Sequence, residues 1–480
     1  MTVSRSNLIA RNTSLQTAGH VVGLGVAVGS AAILTRYLGV RAYGTLSLLG
    51  VLLTLPVTVL NGSLDTLTVR RLSSGEHEGA TFLSNVLGVK LAVTGAFAAA
   101  AVLVTIAAPV SLPLRLAVGV FGIAVVASGV QGTLLAVEQA RLDFRLPVVV
   151  DIGGRVVTLA GVALVVLSPH PGDPLTRVAL VVTAGAAATL LWLAVTVIAR
   201  RRRLSLRPAA RRRSWAELGR SGVPLALISL LGLVNYRLDV VALGALAGTH
   251  AVGIYAVATR FMDAVLPLAT FFVAAAFPVL SATALEAASQ REGRARRAAE
   301  FLALASIPIM VGGCVFAPQL VHIVAGHAYA ASVTPLRLLL LSLPLSYVST
   351  FLLYLLIAAD RQRQVVPLMV ASIALNLALN VALVPFYSYD GPAIATLTTE
   401  IAGMVVLLEM VRRMLGIRVL SISLVRTAGA GAAMLATALL LQPVDAVLAC
   451  AASIVAYAAA SLTLRVVRPL DLKLLVGKAT

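Results

Sequence analysis

The stretch LTRYLGVRAYGTLSLLGVL, residues 34–52, joins two long apolar runs through a turn that carries Arg36, Gly39, Arg41 and Gly44. Residues 15–35 before the turn and 43–64 after it contain no Lys, Arg, Asp or Glu. At about 1.5 Å per helical residue, each run is long enough to cross a hydrocarbon core of about 30 Å. The connection between them is about seven residues with no acid, so the chain crosses, turns and crosses back. The same punctuation returns as GTHAVG, residues 248–253, again with glycines five apart and again between two apolar runs.

The whole chain reads the same way. Of its 480 residues 59% are hydrophobic and 12% charged, against about 45–50% and about 25% in soluble domains. No water-soluble core buries that much apolar surface beneath a polar exterior. Apolar runs fall at 15–35, 43–64, 82–108, 114–136, 146–167 and 175–199. They continue at 221–247, 252–280, 301–324, 333–358, 365–386, 392–415, 422–441 and 444–464. The expected fold is therefore an all-α integral membrane protein with about 14 transmembrane helices. Residues 1–199 form a first six-helix lobe, 200–220 a basic cytoplasmic linker, 221–415 a second six-helix lobe, and 416–480 a helix pair with a tail.

The chain carries 38 Lys and Arg against 19 Asp and Glu, a net charge of +19. With the N-terminus in the cytoplasm, 28 of the 38 cations lie in inside segments, 5 outside and 5 within spans. This asymmetry is the positive-inside pattern, and it places both termini in the cytoplasm of a multi-pass cell-membrane protein. It also accounts for the basic charge without nucleic acid, for which there is neither a basic recognition helix nor an aromatic platform. No cleavable leader is expected, because the first apolar run is too long for one. Cys314 and Cys450 both lie inside apolar runs and imply no disulfide framework and no metal site.

A second echo supports a duplication. ALVVLSPHPGDP (163–174) is matched by ALVPFYSYDGP (382–392), and the offsets, 209 from Gly44 to Gly253 and 219 from Ala163 to Ala382, are similar. Two halves of six spans each insert the same way up, so their pseudo-two-fold runs along the membrane normal. Catalytic parts are missing. There is no phosphate-binding glycine loop, no His-Glu-x-x-His pair and no Asp-x-Asp, and the six histidines form no ligand-spaced cluster. No catalytic residue, metal or resident cofactor is expected.

What remains is charge at membrane depth, where ionisable groups are costly and mark cavities and pathways. Asp151 and Arg155 share a helix face at i,i+4, and Arg260 and Asp263 do so at i,i+3. Arg237 and Asp239 lie two apart and point to different faces. Asn376 and Asn380 form an amide pair on one face, and Glu400 lies mid-span. The candidate substrate-binding residues are Arg155, Arg237, Arg260, Asn376 and Asn380, with Asp151, Asp239, Asp263 and Glu400 as charge-pairing or coupling groups. Lys90, Asp65 and Arg426 are expected to reach toward the membrane surface. Cations in both halves imply a wet cavity that prefers anions.

Three segments carry a family likeness: residues 34–52; NYRLDVVALGALAGTHAVGIYAVATRFMDAVLPL (235–268) leading into AFPVLS (276–281); and LNLALNVALVPFYSYDGPAIATLTTE (375–400). In order and spacing they resemble the oligosaccharide flippases, the polysaccharide-transporter branch of the multidrug/oligosaccharidyl-lipid/polysaccharide superfamily. YSYDGP (387–392) departs from the Gly-rich turn usual there. The resemblance implies a two-lobed, MATE-like transporter that moves a polyprenyl-diphosphate-linked oligosaccharide to the outer leaflet for cell-surface polysaccharide assembly. Its partners would be that substrate, membrane lipids, and a polysaccharide polymerase with glycosyltransferases. A coupling ion, Na+ or H+, or the membrane potential would supply the drive. Two other readings stand beside it. One is a MATE-type multidrug or cation antiporter, which buried arginines and 5% aromatic content disfavour. The other is a non-transporting scaffold that recruits glycan enzymes through its basic loops.

Overall fold

The computed structural model describes residues 5–73, 79–140, 145–168, 173–200, 209, 212–282, 288–359, 361–442 and 445–466. Residues 201–208, 210 and 211 of the basic linker, the external segment near Pro169 and the tail with Arg468, Lys473 and Lys478 lie outside these. The helices are α1 (Arg5–Leu60), α2 (Thr66–Ser73), α3 (Gly79–Ala107), α4 (Leu112–Gln139), α5 (Arg145–Leu167), α6 (Pro174–Arg200) and α7 (Arg212–Ala282). They continue as α8 (Ala288–Val315), α9 (Ala317–Ala325), α10 (Val333–Ala358), α11 (Gln362–Tyr387), α12 (Gly391–Leu415), α13 (Ile422–Leu441) and α14 (Ala446–Thr463). No strand occurs among the described residues.

Among the described residues eleven helical stretches are long and apolar enough to cross a membrane. Three of them, Val22–Ser73, Leu225–Thr270 and Arg363–Leu415, run for 52, 46 and 53 residues, more than twice the roughly 20 that one crossing needs. Each contains a break where the sequence places a turn. α1 breaks at Gly39 (φ 70°, ψ 174°) and α7 at Gly248 (φ 78°, ψ −179°). A short 3-10 turn, Ser388–Asp390, separates α11 from α12. Side-chain-bearing residues rarely adopt the backbone of Gly39 and Gly248, which is why glycine stands there.

The second glycine of each motif has a different task. A Cβ on Gly44 would overlap the carbonyl oxygen of Thr249 and lie 2.6 Å from the Gly253 nitrogen. A Cβ on Gly253 would overlap the carbonyl oxygen of Val40. The residue after each kink thus presents its carbonyl to the other motif's second glycine. The two turns that echo each other in sequence also contact each other reciprocally.

One expected span is corrected. The run 301–324 reads as a single crossing, but α8 ends at Val315 and α9 begins anew at Ala317. Pro318 is the cause. It has no N–H for the α8 ladder, and it fits the first turn of a new helix.

The chain divides into two compact units, Met1–Gly253 and Ile254–Thr480. In the first unit α5 and α6 meet through small residues. Gly154 faces Thr189, Gly161 faces Val181 and Gly185 faces Thr158, so the helices approach where no Cβ intervenes. Leu134, Leu146, Val150, Leu193 and Val197 close the core beside them. In the second unit α13 and α14 pack on α8 through Ala430, Met434, Tyr457 and Val311, and the Tyr457 hydroxyl donates to the Leu304 carbonyl at 2.8 Å. Large apolar side chains point outward throughout, among them Leu103, Leu191, Ile422 and Leu440. Lys90, Glu138, Asn376 and Asn380 are buried. Apolar outside and polar within is the arrangement that lipid, not water, favours.

Candidate functional site

In the first unit Arg155 stands eleventh in the 23-residue α5, about 15 Å from its start. Its Nε donates to Asp151 Oδ2 at 3.0 Å, and both side chains are about half exposed. Gly23 of α1 leaves room for the stem, since a Cβ there would lie 3.5 Å from Arg155 Cδ and Nε. An arginine at the centre of a span costs about 2.5–3.5 kcal/mol. An exposed i,i+4 pair returns only about 0.5 kcal/mol. The guanidinium commits one of its five N–H donors to Asp151, and the planar fork matches two phosphate oxygens.

Arg237 and Asp239 diverge as their spacing requires. The Arg237 guanidinium lies over the Tyr236 ring, 4.6 Å from its centre, while Asp239 is buried. In the second unit Arg260 Nη1 lies 3.7 Å from Asp263 Oδ2. That distance is longer than the 3.0 Å of the pair on α5. Asn376 and Asn380 are buried on α11 and bonded to each other, the Asn380 amide donating to Asn376 Oδ1 and to its carbonyl, both at 3.0 Å. Glu400 on α12 shares a hydrogen bond with Ser346 of α10.

Lys90 does not reach for the membrane surface; its side chain is fully buried. Its ammonium lies 2.5 Å from Asp65 Oδ1, 2.8 Å from Asn61 Oδ1 and 3.2 Å from the Gly129 carbonyl. Asn61 and Asp65 bound a π-helical turn, a distortion that recurs at functional positions. No residue spacing announces this cluster, because its three elements are distant in sequence. Among the described residues no group of three or more His, Cys, Asp or Glu is placed to hold a metal ion.

The polysaccharide biosynthesis protein family model matches residues 33–334, well over half of the chain. The chain belongs to that family. The match agrees with the resemblance carried by residues 34–52 and 235–281. Solved structures extend the likeness to nearly the full length of the chain. The lipid II flippase MurJ in an inward closed conformation aligns with a TM-score of 0.78 at 13% identity, over 95% of this chain and 98% of MurJ. An inward-facing multidrug resistance MATE family transporter of the MOP superfamily aligns at 0.64 and 13%, over 82% and 94%. A MOP superfamily transporter from Pyrococcus furiosus, described as having a binding pocket of reverse polarity, aligns at 0.61 and 13%, over 84% and 95%. A comparison with curated proteins finds no match. The chain is thus a multi-pass membrane protein with a MurJ- and MATE-like fold.

Proposed function

We propose that the protein carries a polyprenyl-diphosphate-linked oligosaccharide from the cytoplasmic to the outer leaflet of the cell membrane, for assembly of a surface polysaccharide. The observation that carries this reading is the arginine that each unit holds in a membrane-depth helix, Arg155 and Arg260, in a family of polysaccharide biosynthesis. A hydrated sugar cannot cross hydrocarbon unaided, and a diphosphate is the anion that a guanidinium fork holds well. The reading has the two halves alternate access around a cationic path, while the polyprenyl tail stays in lipid. A coupling ion, Na+ or H+, or the membrane potential drives net export, and no catalytic step is involved. A polymerase and glycosyltransferases would supply and consume the substrate.

Lipid mass spectrometry of a deletion strain tests the assignment. One specific polyprenyl-diphosphate oligosaccharide should accumulate and disappear on complementation; an unchanged lipid profile together with lost resistance to organic cations would favour antiport instead.

The proposed topology has fourteen crossings, each of the three long stretches counting as two, with both termini inside. A cysteine replacing Ser388, in the turn between α11 and α12, should react with an impermeant thiol reagent on intact cells. A cysteine replacing Arg361, before α11, should react only after permeabilisation. The reverse pattern at either position would break the count.

Asn376 and Asn380 are proposed to contact substrate or coupling ion. Asn376→Leu or Asn380→Leu should cut transport by about tenfold or more, which corresponds to about 1.4 kcal/mol, with less than a twofold loss of membrane-inserted protein. Parallel losses of protein and transport would reduce the pair to interhelical glue.

A further inference from the structure

The Lys90 ammonium has three N–H donors and three oxygen partners: Asp65 Oδ1, Asn61 Oδ1 and the Gly129 carbonyl, from the π-turn after α1 and from α4. Every partner is an oxygen. One is a carboxylate and the other two are neutral, so the cage offers a single negative charge to a single positive one. The Thr133 hydroxyl donates to the same Gly129 carbonyl at 3.4 Å and adds a further oxygen beside the cage. Gly132 lets the cage close, because a Cβ there would lie 2.6 Å from Asp65 Oδ2 and 2.8 Å from the Asn61 amide. Lys90 itself is fully buried, whereas the Asp65 side chain keeps 17% of its surface open.

One carboxylate balances one unit charge, so a monovalent metal ion among these oxygens would keep the cage neutral, whereas a divalent ion would leave a buried net charge.

We propose that the Asn61–Asp65–Gly129 cage is a monovalent-cation site filled from within the chain. The Lys90 ammonium takes the place of Na+ or K+, and its removal leaves a site that the free ion occupies through the open side of Asp65. The charge of Asp65 is then neutralised by a tethered ion, and the wild-type cage takes up no free cation. The inference concerns folding and ion binding of this unit and does not rest on the flippase reading.

Lys90→Met keeps the stem and vacates only the ammonium position. The test measures thermal unfolding of the purified full-length protein in sodium, potassium or choline chloride at equal ionic strength. Wild type should unfold at one temperature in all three. Lys90→Met should unfold lower in choline and recover by about 3 °C or more in sodium or potassium, with saturable binding of radioactive sodium or rubidium that wild type lacks. Asp65→Asn combined with Lys90→Met should lose both the recovery and the binding. Identical midpoints for Lys90→Met in all three salts would overturn the proposal, as would an equal recovery by wild type. Lys90→Ala serves if Lys90→Met does not fold, and failure of both to fold even in sodium and potassium also overturns it, since a free ion would then not fill the cage.

Discussion

Export by the Arg155→Gln, Arg260→Gln double variant should fall to background while the protein stays folded in the membrane. Each arginine lies in a membrane-depth helix, and each is held by a carboxylate on its own helix, Asp151 at 3.0 Å and Asp263 at 3.7 Å. Each pairing carboxylate stands on the arginine's own helix, and glutamine keeps most of the side-chain stem, so the helices should stay packed when the charge is removed. Folding should therefore change by less than about 1 kcal/mol. Transport depends on the arginines in a different way. A diphosphate entering the path exchanges water for guanidinium donors, and glutamine offers neither the charge nor the fork. Arg→Lys at either position should restore only part of the rate, because it keeps the charge and loses the planar geometry. The measurement is transfer of lipid-linked oligosaccharide across the membrane of vesicles containing each variant, with protein level determined in the same vesicles. Normal transfer by the double variant would return both pairs to structural salt bridges.

The second large effect concerns stability. Gly44→Ala should cost more than about 3 kcal/mol and leave little monodisperse protein after extraction. The new methyl would overlap the Thr249 carbonyl and crowd the Gly253 nitrogen, and backbone atoms at a reciprocal contact have no rotamer to change. Gly253→Ala should fail in the same way against the Val40 carbonyl. Gly50→Ala is the matched control, six residues further along α1 with no atom near its added methyl. It should be neutral or gain up to about 1 kcal/mol from the better helix former. Thermal unfolding in detergent, monitored with size-exclusion profiles, reads all three. Equal midpoints for Gly44→Ala and Gly50→Ala would show that the two turns are not locked as described.

Features that one helix contains within itself were legible in the sequence. The pairs Asp151–Arg155, Arg260–Asp263 and Asn376–Asn380 follow from helical spacing, and each is found in the structure. The breaks at Gly39, Gly248 and Ser388–Asp390 follow from turn chemistry and from the length that a bilayer permits. Features that arise between helices were not legible. The Ser346 partner of Glu400 belongs to another helix, and the groups that hold Lys90 come from two other elements, the π-turn and α4. A lysine near a span end reads as one that reaches outward for water. Only the folded chain supplies three oxygens that make the inward direction cheaper. The split at Phe316 was signalled by Pro318, but apolar residues on both sides concealed it.

The junction between the two glycine turns is carbonyl against Cα, so its specificity resides in the main chain. The atoms that an added Cβ on either second glycine would meet first are the Thr249 and Val40 carbonyl oxygens, main-chain atoms that any residue supplies. Such a contact survives substitution of the residue that presents the carbonyl and fails when a carbon is added to the glycine opposite. A duplicated segment drifting under that rule loses its resemblance residue by residue while the five-residue interval between glycines persists as its watermark. Geometry stored in this form outlasts the text that encodes it, and an alignment with MurJ at 13% identity over 95% of the chain is compatible with such storage.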